Sequence, residues 1–222
     1  MGEMSRPSAR EKLLDAAENL FADHGLAGVS LRAINAAAGL SAAALHYHFG
    51  NQQTLLEALL DRRMPGLMGR RSGMLDALEM RPDRPTVREV LDTLVLPLSE
   101  LIADTGEEGL RYVRMVHRLQ QDESIDPNFV LSRWPSAVDR LIPLLQQALP
   151  ELSAGLIALR LDMANRVILG TLAKAPTAAP ARVARYTSAL LDFITGALEA
   201  PASSLRPART RSGRTIENPL EP

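Results

Sequence analysis

Apolar residues recur at helical spacing along nearly the whole of this chain, while strand signals are almost missing. From Ala9 to His24, the residues Leu13, Ala17, Leu20 and Phe21 fall at i, i+4, i+7 and i+8, one face of a helix. β-branched residues are sparse, and no run of four to eight residues alternates apolar with polar. The pattern predicts an all-α fold. Punctuation between the periodic segments agrees with it. Gly25 follows the first helix as a C-cap, with His24 in the last turn where a cation meets the negative dipole end. Ser30 is an N-cap for a short helix over Leu31–Ala37, with Leu31 and Ile34 inward. Ala38-Gly39-Leu40 breaks it. Ser41 is expected to cap a third helix, Ala42 to Phe49, ended by Gly50-Asn51. A fourth is expected over Gln52–Met64, carrying Leu55, Leu56, Leu59 and Leu60 until Pro65-Gly66 stops it.

Further helices are predicted over Leu67–Met80, Thr86–Asp104, Glu107–Asp122, Ser136–Leu149, Leu152–Leu172 and Pro180–Ala200. Pro97 and Pro143 lie inside periodic segments and are expected to kink or shorten them. After Pro201 large apolar residues thin out, and residues 201–222 are expected to be a disordered tail. A chain of 222 residues has room for one or two domains. Its composition excludes much. Without cysteine there is no disulfide scaffold, no Cys-ligated metal and no thiol nucleophile. No Ser/His/Asp constellation, metal-ligand spacing or Gly-rich phosphate loop occurs, so neither an enzyme nor a bound cofactor or metal is expected. No 18-residue apolar run or signal-peptide pattern occurs, and a cytoplasmic protein without membrane contact is expected.

The informative stretch is Ser30 to Phe49, S-L-R-A-I-N-A-A-A-G-L-S-A-A-A-L-H-Y-H-F. Two short capped helices joined by a Gly-containing turn are what a helix-turn-helix requires. In that reading Gly39 takes the left-handed position and Leu40 fills the angle between the helices. Ser41 opens the second helix, whose first-turn N–H groups could hold a phosphate. Ala42 and Ala43 are small enough for close approach to a major groove, and His46, Tyr47 and His48 offer polar tips to backbone or bases. Arg32 either contacts phosphate or pairs with Glu18 or Asp23.

Arg10 to Leu60 resembles the N-terminal domain of the TetR family of bacterial transcriptional regulators. The matching pieces, in order, are Leu13-Leu14-Asp15-Ala16-Ala17, Leu20-Phe21-Ala22-Asp23-His24-Gly25, Ser30-Leu31-Arg32-Ala33-Ile34, Ala38-Gly39-Leu40-Ser41, Leu45-His46-Tyr47-His48-Phe49 and Leu55-Leu56-Glu57. The resemblance implies a helix-turn-helix domain at 9–66, a ligand-binding and dimerisation domain at 67–200, and DNA contacts at Arg32, Ser41, Ala42, Ala43, His46, Tyr47 and His48. It implies a homodimer on palindromic operator DNA and a repressor released by a small ligand, and the Met and aliphatic residues of the candidate pocket segments favour an apolar or amphipathic one. Two departures weaken the DNA side: members of the family often carry Lys where Ala42 and Gln52 stand, and often Tyr where His46 stands. Net charge is −1, and Met1–Leu55 holds four basic against five acidic side chains. Two missing lysines predict a shallower salt dependence of binding. The alternative is a helical ligand-binding or partner-binding module whose DNA head has decayed.

For the ligand, the stretch R-Y-V-R-M-V-H-R-L-Q-Q-D at Arg111–Asp122 is the candidate pocket wall, with Tyr112, Met115 and Leu119 on one face, His117 beside it, and Asn165 and Arg166 on a later helix. Arg111, Arg114 or Arg118 could meet an acid or an acyl-thioester phosphate, and each of these residues fits plain core or solvated surface equally well. Trp134 either gates a cavity or packs on the core. The long apolar helices 152–172 and 180–200 form a hairpin that suits a two-fold four-helix interface.

Overall fold

The computed structural model describes residues 7–123, 125, 135–177 and 179–202. The chain begins α1 (Ala9–His24) with a reciprocal cap: the Glu11 N–H donates to Ser8 Oγ at 3.2 Å, and the Ser8 N–H donates to Glu11 Oε2 at 2.7 Å. The second bond holds the Glu11 carboxyl below its usual pKa. Leu13, Leu14, Ala17 and Phe21 are buried, and the chain leaves the helix through Gly25 at φ +71°, whose N–H donates to Phe21 O. Helix α2 (Leu31–Ala37) is capped by Ser30, which accepts from the Ala33 N–H at 3.1 Å. It ends ahead of Gly39 at φ +66°, a left-handed position that a side chain would strain.

Helix α3 (Ala44–Phe49) starts two residues later than expected. The hydroxyl of Ser41 caps nothing. The Ala44 N–H instead donates to the Ser41 carbonyl at 3.0 Å, and the Leu45 N–H donates to the side-chain Oδ1 of buried Asn35, also at 3.0 Å. The opening turn of α3 is therefore tied to the protein, and two of the N–H groups expected to be open to a phosphate are already used.

Helix α4 (Gln52–Glu79) departs most from expectation, running unbroken through Pro65-Gly66 for 28 residues, a rod of roughly 42 Å. Asn51 caps it by accepting from the Thr54 N–H at 2.9 Å. A proline inside a helix costs roughly 3 kcal/mol. Beyond it, however, Leu67, Leu75 and Leu78 are buried, each worth roughly 1.5–3 kcal/mol, and together they outweigh the break. Helices α5 (Val87–Thr105) and α6 (Glu107–Gln121) turn about Gly106 at φ +60°. After them come α7 (Pro135–Ala148), α8 (Ala154–Leu172) and α9 (Pro180–Glu199). Neither Pro97 in α5 nor Pro143 in α7 cuts its helix short.

No strand occurs among the described residues. Helices α1–α3 and the start of α4 pack around Leu14, Phe21, Ile34, Leu45 and Phe49; α4 then carries the chain into a bundle in which α5 lies against α4, α6 and α9. The end of α9 is closed from α8: Arg160 donates to the carbonyls of Leu198 at 2.7 Å, Ala200 at 2.6 Å and Pro201 at 3.2 Å, a cation on a helix C-terminus. Among the described residues no helix is long and apolar enough to cross a membrane. Trp134 and residues 203–222 of the expected tail lie outside the described residues.

Candidate nucleic-acid interface and cavity

The exposed side of α3 follows from its buried side. Leu45 and Phe49, four apart, anchor the helix in the core, so the intervening residues turn outward. Tyr47 is 85% exposed, its ring edge-on to that of His48 with centroids 5.1 Å apart. Ser41, Ala42, Ala43 and His46 are exposed beside it, and His48 is half-buried. Arg32 lies exposed on α2 and has no ion pair among the described residues; Glu18, one of its two expected partners, faces Arg62 instead. All seven residues expected to touch DNA therefore lie on α2, α3 or the turn between them, six of them exposed. A second cation approaches from α1: the Arg10 guanidinium sits 5.2 Å above the Phe49 ring.

Asn35, which the sequence pattern did not single out, holds this geometry. It is 2% exposed, and its side chain bonds in three directions: Nδ2 donates to the carbonyls of Leu31 and Ala42, each at 3.1 Å, while Oδ1 takes the Leu45 N–H. One carboxamide thus pins α2, the turn and α3 together. Its signal was available as a polar residue four positions after Leu31, on the inward face of α2.

Where α1, α4 and α6 meet, charges replace apolar packing. Arg62 pairs with Asp15 at 2.7 Å and lies 3.5 Å from Glu18. Arg63 pairs with Glu108, and Arg111 donates to Asn19 Oδ1 at 2.6 Å. Glu18 is 3% exposed, and its Oε2 accepts no hydrogen bond among the described residues. Burial pushes its pKa up despite the arginines around it.

A cavity of about 190 Å³ lies among α4, α5, α6, α7 and α8. Its walls are apolar, with Met64, Leu67, Leu94, Leu98, Leu141 and Leu169 among them, and its polar groups are Arg71, Tyr112, Gln120, Asp162 and Asn165. Of the residues expected to line a pocket, Tyr112 and Asn165 are on this wall. Met115 and Leu119 are buried in the core behind it, because the face of α6 that meets the cavity runs through Tyr112, Val116 and Gln120. His117 packs against Gly170 of α8, where burial lowers its pKa, and Arg166 is exposed and paired with Asp162 at 3.1 Å. Arg111, Arg114 and Arg118 stay outside the cavity as well. The arginine inside it is Arg71, which lies in the expected helix Leu67–Met80 but is not among the residues expected to line a pocket. With α4 continuous, Leu67, Arg71, Leu75 and Leu78 form one inward stripe with a cation in its midst.

The profile of the "Bacterial regulatory proteins, tetR family" matches residues 13–59, and that of the "Tetracyclin repressor-like, C-terminal domain" matches residues 92–198. The HTH-type transcriptional repressor KstR2 of Mycolicibacterium smegmatis is 35% identical over 122 residues, covering 53% of this chain and 50% of the relative. The chain thus spans about half the length of this curated relative. Among solved structures, a TetR-like transcriptional regulator from Rhodococcus sp. RHA1 superposes with a TM-score of 0.57 at 22% identity, covering 88% of this chain and 96% of the other. SmeT, the repressor of the Stenotrophomonas maltophilia multidrug efflux pump SmeDEF, gives a TM-score of 0.54 at 22% identity, covering 88% and 92%. At such identities the structural likeness concerns the fold alone. The two family matches together span more than half of the sequence and meet the helix-turn-helix and the helical body where they occur; the chain belongs to the TetR family of bacterial regulatory proteins.

Proposed function

We propose that this protein is a sequence-specific transcriptional repressor that acts in the cytoplasm as a homodimer on palindromic operator DNA and is released by a small apolar or amphipathic ligand. The observation that carries the reading is α3: a short helix pinned from behind by Asn35, Leu45 and Phe49, presenting Ala43, His46 and an 85%-exposed Tyr47 to the outside. An exposed aromatic on a rigidly held helix, next to alanines that permit close approach, suits entry into a major groove. KstR2 and SmeT are both named as repressors, which supports repression here. In this reading residues 9–66 form the DNA-binding head with the connecting helix, and residues 67–200 the ligand-binding and dimerisation body, α4 being shared between them.

The dimer surface we assign is α8 with α9. Leu159, Met163 and Val167 stand exposed at i, i+4 and i+8 of α8, and Phe193 of α9 is 65% exposed. Four large apolar side chains in water on two neighbouring helices suit a two-fold helical interface. The route from ligand to head runs through adjacent residues of one helix: Tyr112 of α6 lines the cavity, and Arg111 beside it holds Asn19 of α1. A ligand shifts DNA affinity only by its differential affinity for the two arrangements of the head.

Gel-shift binding to the DNA upstream of its own coding sequence, at low and physiological salt, tests the reading. Saturable binding that resists competitor DNA is expected, weakened by about 1–3 kcal/mol in Tyr47→Ala with dimer mass unchanged. Failure to bind at either salt, with the fold intact, would instead favour a module whose head has lost its DNA function.

A further inference from the structure

Arg71 is a mostly buried cation without a carboxylate. Its Nε donates to the Thr93 carbonyl at 3.0 Å and its Nη2 to the Leu94 carbonyl at 3.4 Å, and it forms no ion pair among the described residues. The first acceptor exists because of Pro97. Proline has no N–H, so the carbonyl four residues before it, that of Thr93, has no helical donor and is open to the guanidinium. These two bonds use two of the five guanidinium N–H groups, and the others have no protein partner among the described residues. Burial pushes the Arg71 pKa down to about 10, with no neighbouring carboxylate to counter it. The side chain remains charged at neutral pH, in a site that penalises charge.

We propose that the cavity binds an apolar monocarboxylate, its carboxylate received by the free N–H groups of Arg71 and its apolar body lying against Leu67, Leu98 and Leu169. This inference rests on the reading of the cavity as the ligand site and adds the charge and size of the occupant. A half-buried charge with no carboxylate beside it is costly, and a carboxylate on a guanidinium fork forms the short, paired hydrogen bonds that offset the cost. Among the described residues Arg71 is the one basic side chain on the cavity wall, which matches a single negative charge rather than a phosphate dianion. Asp162, the one acid on that wall among the described residues, is exposed and already paired with Arg166. At about 190 Å³ the space is only modestly larger than an apolar cavity that accepts benzene. A single-ring acid or a medium-length aliphatic acid fits within that space.

Isothermal titration of the full-length protein with octanoate and 3-phenylpropionate, each against its own amide, tests this. The amides keep the apolar body and remove the charge. Each acid is expected to bind about tenfold or more tightly than its amide, from the loss of a charge-assisted pair. Arg71→Gln should remove that preference while amide binding is kept. Should Arg71→Gln melt early by circular dichroism, Arg71→Lys serves in its place, with the acid preference reduced rather than lost. Equal binding of acid and amide to the wild type, or an undiminished preference in a folded Arg71→Gln, overturns the anion and leaves the cavity as a site for neutral ligands. If none of the four probes binds at millimolar concentration, the ligand-site reading falls and this inference falls with it.

Discussion

Asn35 shows how much of a helix-turn-helix can depend on one carboxamide. Its Oδ1 is the acceptor for the Leu45 N–H, and its Nδ2 reaches the Ala42 carbonyl across the turn. Asn35→Ala leaves a buried N–H without an acceptor, a loss of about 1–3 kcal/mol. The expected result is a lower urea midpoint together with weaker DNA binding under conditions where the variant is still folded. A melt indistinguishable from wild type would show that water takes over the role. Ser30 and Ser41 make the contrast at the same scale. Both read as helix caps, yet only Ser30 places its hydroxyl on a helix N–H. A serine before a helix competes with any polar group the fold brings to the same amide. At α3 the Ala44 amide goes to the Ser41 carbonyl, and the next amide, that of Leu45, goes to Asn35 ten residues before it.

Among the elements, α4 is where local preference and tertiary packing pull apart. Pro65 next to Gly66 is a strong stop signal, and a sequence reading ends the helix there. The helix continues because Leu60 and Met64 before the proline and Leu67, Leu75 and Leu78 after it are all buried against the neighbouring helices. The proline is tolerated rather than favoured. Pro65→Ala should therefore stabilise the protein by about 1–3 kcal/mol, since alanine restores a helix donor and removes the ring clash. A rise in the thermal midpoint checks this; a fall would mean that the bend or stiffness at Pro65 is required by the packing around it. Pro97 plays another part, because the carbonyl it leaves open is the one that Arg71 uses. Both prolines are plain in the sequence. What differs is what packs against each.

For the whole molecule, the question is what covers α8 and α9. Leu159, Met163, Val167 and Phe193 are large, apolar and exposed on these two helices. Met163→Glu puts a charge in the middle of the α8 stripe and should turn a dimer into a monomer by light scattering, with the far-ultraviolet circular dichroism unchanged. DNA affinity should drop with it, since a monomer holds only one half-site. A variant that keeps dimer mass would move the interface elsewhere. The charged junction of α1, α4 and α6 belongs to this scale too: Asp15, Glu18, Arg62, Arg63, Glu108 and Arg111 tie the head to the body across three helices. That arrangement links the surface that would meet DNA to the helix that walls the cavity.

The amino-acid sequence by itself determined the helical class, the ends of α1 and α2, those of α5 and α6 to within a residue, and the helix-turn-helix with its exposed Tyr47. These depend on hydrogen bonds between residues three or four apart and on which residues can take a positive φ, so the relevant partners are neighbours in the chain. Only the tertiary structure decided that α4 passes through Pro65, that Asn35 rather than Ser41 secures α3, and that Arg71 rather than Arg111, Arg114 or Arg118 faces the cavity. Each of these turns on whether a side chain is buried and what it meets there. Burial is set by helices that are distant in sequence and brought together only by the fold.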